Sequence, residues 1–102
     1  MTQIYRGKVN LKQNKQMEAQ KDFLKAIEIN ADKFSGYIGL GDCFRMKGDF
    51  ANAIKNYSKV LEDDQQLMEV VGLKRVFCLV EMKELTKALH DIDKVGALDT
   101  RY

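Results

Sequence analysis

The order of large and small residues between Gly36 and Leu61 constrains the fold more than any other feature of the sequence. One face of a first predicted helix carries Tyr37, Leu40, Gly41 and Phe44, and one face of a second carries Phe50, Ala53, Tyr57 and Val60. Because Gly41 and Ala53 stand between large residues, the two backbones can approach closely while aromatic side chains fill the gaps beside them. Gly48 lies between the two faces and predicts a tight turn. The stretch therefore predicts two amphipathic helices packed as a hairpin.

The same landmarks recur at a fixed spacing on both sides of this stretch. Toward the N-terminus, one constant shift aligns Gly7 with Gly41, Ala19 with Ala53, Phe23 with Tyr57 and Ala26 with Val60. Toward the C-terminus, a shift longer by one residue aligns Leu85, Ala88, Ile92 and Val95 with the face of the second helix. The apolar run from Leu67 to Met82 precedes them, and it is long enough to favour a buried helix over a strand. The chain is thus predicted to hold three helical pairs in about residues 1–33, 34–66 and 67–96, followed by a tail at 97–102.

Turn and cap residues give the expected boundaries of these helices. Asn14 is expected to take, in the first turn, the left-handed backbone conformation that glycine takes in the second. Asp32 or Ser35 is expected to cap the third helix, and Asp64 is expected to cap the fifth. Gly96 is expected to end the last helix.

The motif Tyr37-x-x-Leu40-Gly41-x-x-Phe44, followed by Ala53-x-x-x-Tyr57, resembles the tetratricopeptide repeat. The resemblance implies an all-α fold, a right-handed α-solenoid of about three antiparallel helix pairs that forms one domain over residues 1–102. The first helix of each pair would line the concave surface. The resemblance also implies a module or scaffold that binds a protein or peptide and is not an enzyme. The sequence departs from the family at Ala31 and Gln65, where proline is usual.

Composition and charge limit the classes of partner. The 17 basic and 15 acidic residues leave a formal net charge of +2, which gives no support to binding of nucleic acid or of a membrane. No apolar run approaches the ~18 residues of a membrane span, and no signal peptide opens the chain. We therefore expect a soluble intracellular protein, by default in the cytoplasm.

Few residues offer chemistry. Cys43 and Cys78 occupy equivalent positions in successive first helices and are expected to be small buried thiols. A metal site would need further cysteine or histidine at ligand spacing, and the sequence has none. His90, the only histidine, has no nucleophile beside it and is expected to be a solvated surface residue. The sequence thus predicts no catalysis, no metal and no cofactor.

The concave surface is the expected binding site. By the repeat spacing it should carry Tyr5, Lys8, Leu11 and Lys12 from the first pair, Ser35, Ile38, Asp42 and Arg45 from the second, and Val70, Lys74 and Phe77 from the third. These cations, among aromatic and aliphatic residues, suit an extended or helical peptide that carries some negative charge. Apolar anchors would hold the peptide, and charge would set its orientation. A wetted inner face without a ligand would show the same mixture of residues.

The family comparison argues against one particular ligand. Co-chaperone members clamp the C-terminal carboxylate of heat-shock chaperones with two lysines, two asparagines and an arginine. The resemblance carries these positions onto Ile4, Lys8, Gly39, Val70 and Lys74. At most Lys74 can serve, and the amides that would hold the carboxylate are absent from these positions. A chaperone tail is therefore not the expected partner.

The third repeat is the most apolar of the three and indicates a second possible function. We expect Leu85, Leu89, Ile92 and Leu98 to form an uncovered apolar docking patch. A further segment, a partner subunit or a second copy of the chain would meet it, which would make the protein a structural subunit or a homo-oligomer within a larger assembly. The alternative is that residues 97–102 fold back and Tyr102 covers the patch.

RNA binding is the remaining alternative, because pentatricopeptide repeats are also helical pairs of similar period. The near-neutral charge argues against RNA, as does the Leu40, Gly41 and Ala53 signature of the tetratricopeptide kind. A salt titration separates the two classes, since phosphate contacts make affinity fall steeply with salt.

Overall fold

The computed structural model describes the backbone of residues 2–29, 33–63 and 68–98, and the side chains of residues 3–29, 34–63 and 71–95. Within these ranges the chain forms six helices and no strand: α1 Thr2–Lys12, α2 Gln16–Glu28, α3 Lys33–Lys47, α4 Phe50–Asp63, α5 Met68–Glu81 and α6 Leu85–Leu98. Each helix packs against the next along the chain, and α1 also contacts α3. The predicted all-α class is confirmed, and so is the assignment of the long apolar run to a helix. Among the described residues, no helix is long and apolar enough to cross a membrane.

Three tight turns of one geometry join α1 to α2, α3 to α4 and α5 to α6. In each turn one residue has a positive φ: Asn14 (62°), Gly48 (83°) and Lys83 (61°). The amide after it donates back to the helix, as in a Schellman motif; in the second turn Asp49 donates to the carbonyl of Phe44 at 2.9 Å. The prediction for Asn14 is confirmed. Lys83 carries no sequence signal other than its place one repeat after Gly48, because lysine rarely adopts this conformation.

One helix boundary differs from the predicted one, and one of the two cap alternatives for α3 is excluded. Ser35 lies inside α3 and cannot be its N-cap, because the helix begins before it. The last helix continues past Gly96 to Leu98. A glycine inside a helix costs only about 1 kcal/mol relative to alanine, and the residues after this one are strong helix formers. The other two expected caps, Asp32 and Asp64, lie outside the described residues.

Aromatic rings packed on glycines form the core, as the spacing predicts. Phe23 of α2 and Tyr57 of α4 are among the largest fully buried side chains. A methyl group on Gly7 would lie 2.7 Å from Cε1 of Phe23, and one on Gly41 would overlap the ring of Tyr57. On its other side Phe23 meets Gly39 of α3, where a methyl group would overlap the ring as well. This one ring therefore joins the first helical pair to the second.

The third pair replaces the ring on glycine with two residues of intermediate size. Val76 and Ile92 hold the positions of Gly41 and Tyr57. The extra volume on α5 is accompanied by a smaller side chain on α6, which limits overpacking of the pair. The α4–α5 boundary lies within one of the two core clusters, made of Ala53, Tyr57, Val60, Leu61, Val71 and Cys78.

Substitution of Gly41 by leucine tests this packing. The new side chain would displace the ring of Tyr57, so we expect Gly41→Leu to lower the free energy of unfolding by about 1–3 kcal/mol. Ala51→Leu is the matched control, because Ala51 is exposed on α4 and a surface change there should stay within about 0.5 kcal/mol. Urea unfolding followed by circular dichroism measures both. Wild-type stability in Gly41→Leu would contradict the packing described here.

Candidate functional site

A pocket of about 270 Å³ lies where α1, α3 and α5 approach one another. Its lining comprises Lys8 and Leu11 of α1, Phe23 of α2, Ser35, Ile38, Gly39 and Asp42 of α3, and Lys74 of α5. We call these eight residues the first-helix groove, because all but Phe23 belong to the first helix of a pair. The structure thus brings together six of the predicted binding residues: Lys8, Leu11, Ser35, Ile38, Asp42 and Lys74.

Helical spacing explains why these side chains meet. Leu11 lies about one turn after Lys8 on α1, and Asp42 lies about one turn after Ile38 on α3, so each helix presents one face to the groove. Gly39 has no side chain, and the ring of Phe23 contributes to the lining there. The result is an apolar lining that carries two ammonium groups and one carboxylate.

The predicted residues of α1 outside the groove are exposed. Tyr5 and Lys12 both lie on the surface. The ammonium of Lys8 lies 5.7 Å from the centroid of the Tyr5 ring, a distance at which a cation and a ring attract each other. Neither Tyr5 nor Lys12 lines the groove itself. The side chain of Val70 lies outside the described residues.

The other two predicted residues face α4. The Nε of Arg45 donates to the hydroxyl of Tyr57 at 3.2 Å. Phe77 of α5 packs edge-on against Phe50, with the ring centroids 6.0 Å apart. Both side chains therefore help to hold neighbouring helices together.

The carboxylate of Asp42 ties three helices at the edge of the groove. It accepts hydrogen bonds from the hydroxyl of Tyr57 at 2.5 Å, from the ammonium of Lys74 at 2.9 Å and from the guanidinium of Arg45 at 3.4 Å. Opposite charges in a partly buried site attract more strongly than on an open surface. Arg45 and Lys74, predicted as cations for a ligand, are therefore engaged within the protein.

Tyr57 supplies the buried part of this cluster. Burial of the phenol raises its pKa, and its hydrogen bond to the Asp42 carboxylate raises the pKa further. The hydroxyl therefore stays protonated at neutral pH and remains a donor to Asp42. A hydrogen bond from a neutral hydroxyl to a carboxylate is one of the stronger kinds in proteins.

The sequence prediction placed Lys74 in the groove as the counterpart of Ile38, which is one residue away from the true counterpart. In the third repeat Lys74 is the counterpart of Gly39, whereas Leu73 is the counterpart of Ile38. Leu73 and Val80, the counterpart of Arg45, are both exposed on α5. The longer shift of the third repeat, applied to every position of the second, identifies both of them.

A second polar cluster joins α4, α5 and α6 and was not predicted. Arg75 pairs with Asp91 through two bonds, from Nε at 2.6 Å and from Nη2 at 2.8 Å, and its Nη1 donates to Ser58 at 3.1 Å. The first repeat has the same pair in a weaker form, since Arg6 lies 3.9 Å from Asp22. The sequence signal is an arginine and an aspartate at the same spacing in both outer repeats.

The predicted docking patch lies on α6. Leu85, Leu89 and Ile92 are 58%, 62% and 44% exposed. The side chain of Leu98 and the proposed cover, Tyr102, lie outside the described residues. The three described leucine and isoleucine side chains share one face of the helix.

The cysteines and the histidine are placed as predicted. Cys43 and Cys78 are free and fully buried, and burial raises the pKa of the Cys43 thiol to about 11. A thiol with so high a pKa is a poor nucleophile at neutral pH. His90 is exposed on α6. No group of three or more metal-ligating side chains occurs within the described ranges.

Two of the positions carried over from the chaperone-tail clamp lie in the core. Ile4 and Gly39 are buried, and Lys74 is paired with Asp42. Comparison with known proteins adds no family assignment: no protein-family model matches the chain, and no curated protein matches it. The functional interpretation therefore depends on the residues and on their geometry.

Removal of the Tyr57 hydroxyl tests the Asp42 cluster. Tyr57→Phe deprives Asp42 of one donor and the Nε of Arg45 of its acceptor, so we expect the free energy of unfolding to fall by about 1.5–3 kcal/mol. Tyr5→Phe is the matched control: it removes an exposed hydroxyl and should change stability by less than about 0.5 kcal/mol. Equal effects of the two substitutions in chemical unfolding would show that the cluster contributes nothing.

Proposed function

We propose that the protein is a tetratricopeptide-like α-solenoid whose first-helix groove binds an acidic peptide segment of a partner protein. One observation carries the proposal: the helices that would line the concave surface of such a solenoid form an apolar groove in which the one carboxylate, Asp42, is paired with Lys74 and a second lysine, Lys8, is exposed. Its function would be to hold a partner or to act as a scaffold, without chemistry.

Three features of the fold support the solenoid part of the proposal. The helices pack in chain order. Their turns repeat one geometry at Asn14, Gly48 and Lys83, which occupy equivalent positions of the three pairs. The ring of Phe23 fits between two glycines of successive repeats. Solenoid repeats are expected to show these three features, because each repeat buries its apolar face on the next one.

The charge of the groove supports an acidic ligand. The carboxylate of Asp42 is already neutralised by Lys74 and Arg45, so it does not oppose an incoming anion. Lys8 and Lys12 remain as exposed cations on α1. The apolar side chains of Leu11, Ile38 and Phe23 would accept an aliphatic or aromatic anchor of the peptide.

Peptide selection tests this proposal. Random peptides displayed on phage and selected on the immobilised protein should become enriched in aspartate or glutamate next to large apolar residues. A selected peptide, labelled and titrated by fluorescence anisotropy, should bind Lys8→Glu with Lys12→Glu at least about tenfold more weakly than wild type. Arg45 and Lys74 are less suitable targets, because their reversal would break the Asp42 cluster.

The matched control reverses two exposed lysines of the second helices, Lys25 and Lys55. Lys25→Glu with Lys55→Glu should change the affinity less than about twofold, because the charges lie away from the groove. Equal losses from both double variants would indicate non-specific charge attraction and contradict the groove. Selected peptides without acidic residues would contradict the acidic ligand.

The exposure of Leu85, Leu89 and Ile92 supports a second candidate function. A contiguous apolar face on one helix is typical of a docking surface. The protein would then be a structural subunit that joins a larger assembly through α6.

A further inference from the structure

The outer face of α6 repeats a surface that is buried elsewhere in the molecule. Three of its residues, Leu85, Leu89 and Ile92, are the counterparts, one repeat later, of Phe50, Ile54 and Tyr57. The three residues of α4 belong to the cluster that packs against the third pair, and Phe50 meets Phe77 of α5 directly. On α6 their counterparts are exposed. The outer face of α6 therefore corresponds to the face with which α4 receives the next first helix.

The outer face of α1 is the complementary half. Tyr5 and Arg6 are the counterparts, one repeat earlier, of Gly39 and Leu40, which are buried and pack against α2. On α1 the residue Tyr5 is 58% exposed and the side chain of Arg6 is 69% exposed. The outer face of α1 therefore corresponds to the face with which α3 covers the preceding pair.

One pair of positions is chemically matched at both junctions inside the chain. At the junction of the first and second pairs, Leu24 and Leu40 line the same groove. At the junction of the second and third pairs, these positions hold Ser58 and Arg75, which form a hydrogen bond of 3.1 Å. The chemistry changes from apolar to polar, but the partners change together.

The same positions on the two exposed faces are matched as well. Asp93 of α6 is the counterpart of Ser58, and Arg6 of α1 is the counterpart of Arg75. These residues carry opposite charges. Next to them, Ile92 and Tyr5 hold the positions of Phe23 and Gly39, so a smaller side chain on the second helix would face a larger one on the first. Packed interfaces tolerate such exchanges of volume best.

We propose that copies of this chain associate head to tail, with α6 of one copy packed against α1 of the next. Asp93 then pairs with Arg6, Ile92 packs on Tyr5, and Leu85 covers the aliphatic stem of Lys8. The proposal rests on the second candidate function, names a second copy as the occupant of the patch, and does not depend on peptide binding. Such a contact joins two different faces, so it extends into longer arrays or closes into a ring.

Sedimentation velocity of the full chain tests this arrangement. From micromolar to millimolar concentration, the mean mass of the wild-type protein should rise past that of a dimer. Arg6→Glu places two acidic groups at the contact, and Asp93→Arg places two basic groups there. Each variant alone should associate at least about tenfold more weakly than wild type.

Mixing the two variants gives the decisive measurement. In an equimolar mixture, the arginine introduced at position 93 of one variant meets the glutamate introduced at position 6 of the other, and the remaining contacts join the original Asp93 and Arg6. Association should therefore return to the wild-type level. Arg6→Gln adds no repulsion to the nearby Asp22 and so tests whether the loss of association comes from local unfolding of α1. It should weaken association less than Arg6→Glu, with an unchanged thermal melt.

The matched controls are Lys25→Glu and Glu28→Arg, two charge reversals on the exposed surface of α2. Both should associate as the wild type does. A monomer at every concentration would overturn the proposal, and so would a dimer that forms equally well in Arg6→Glu, since two α6 faces would then pair with each other. Failure of the mixture to restore association would overturn it too. Lys8 belongs to both surfaces, so peptide binding at the groove is measured separately, at concentrations where the chain is monomeric.

Discussion

The ring of Phe23, held between Gly7 and Gly39, is the contact on which the rest of the structure depends. No side chain separates the ring from the backbones of α1 and α3, so both helices approach α2 closely. Tyr57 on Gly41 repeats the contact in the second pair. Close-packed interiors respond to changes of a single methylene group. These rings therefore fix the spacing of the first helices, and with it the shape of the groove between them.

The contacts between the polar side chains depend on that spacing of the helices. With α3 and α5 both packed against α4, the ammonium of Lys74 reaches the carboxylate of Asp42 on α3, and Tyr57 reaches it from α4. The cluster stabilises the wall of the groove and removes one carboxylate from the charge that a ligand meets. Structure and proposed binding therefore depend on the same side chain, Asp42, while the exposed Lys8 and Lys12 provide the attraction for an acidic peptide.

Much of this arrangement could be predicted from the sequence, because glycine and aromatic residues at a fixed period leave few ways to pack two helices. The spacing predicted the buried cysteines and the turn at Asn14, and it brought Lys8 and Ile38 into one groove. The residue spacing could not predict hydrogen bonds between side chains. From the sequence, Lys74 is predicted only as a cation of the groove. The distances show that its ammonium group is paired with Asp42. Helix ends were also harder to predict, since α6 passes through Gly96 at a small cost.

Nuclear Overhauser spectroscopy of the folded chain tests the central claim most directly. The account places the ring of Phe23 against the backbone of both Gly7 and Gly39, two residues from different repeats. Cross-peaks should therefore connect the ring protons of Phe23 to the Hα protons of both glycines, and those Hα signals should be displaced by the ring current. Cross-peaks to Gly7 without any to Gly39 would contradict the account, because the first repeat would then not be packed on the second through this ring.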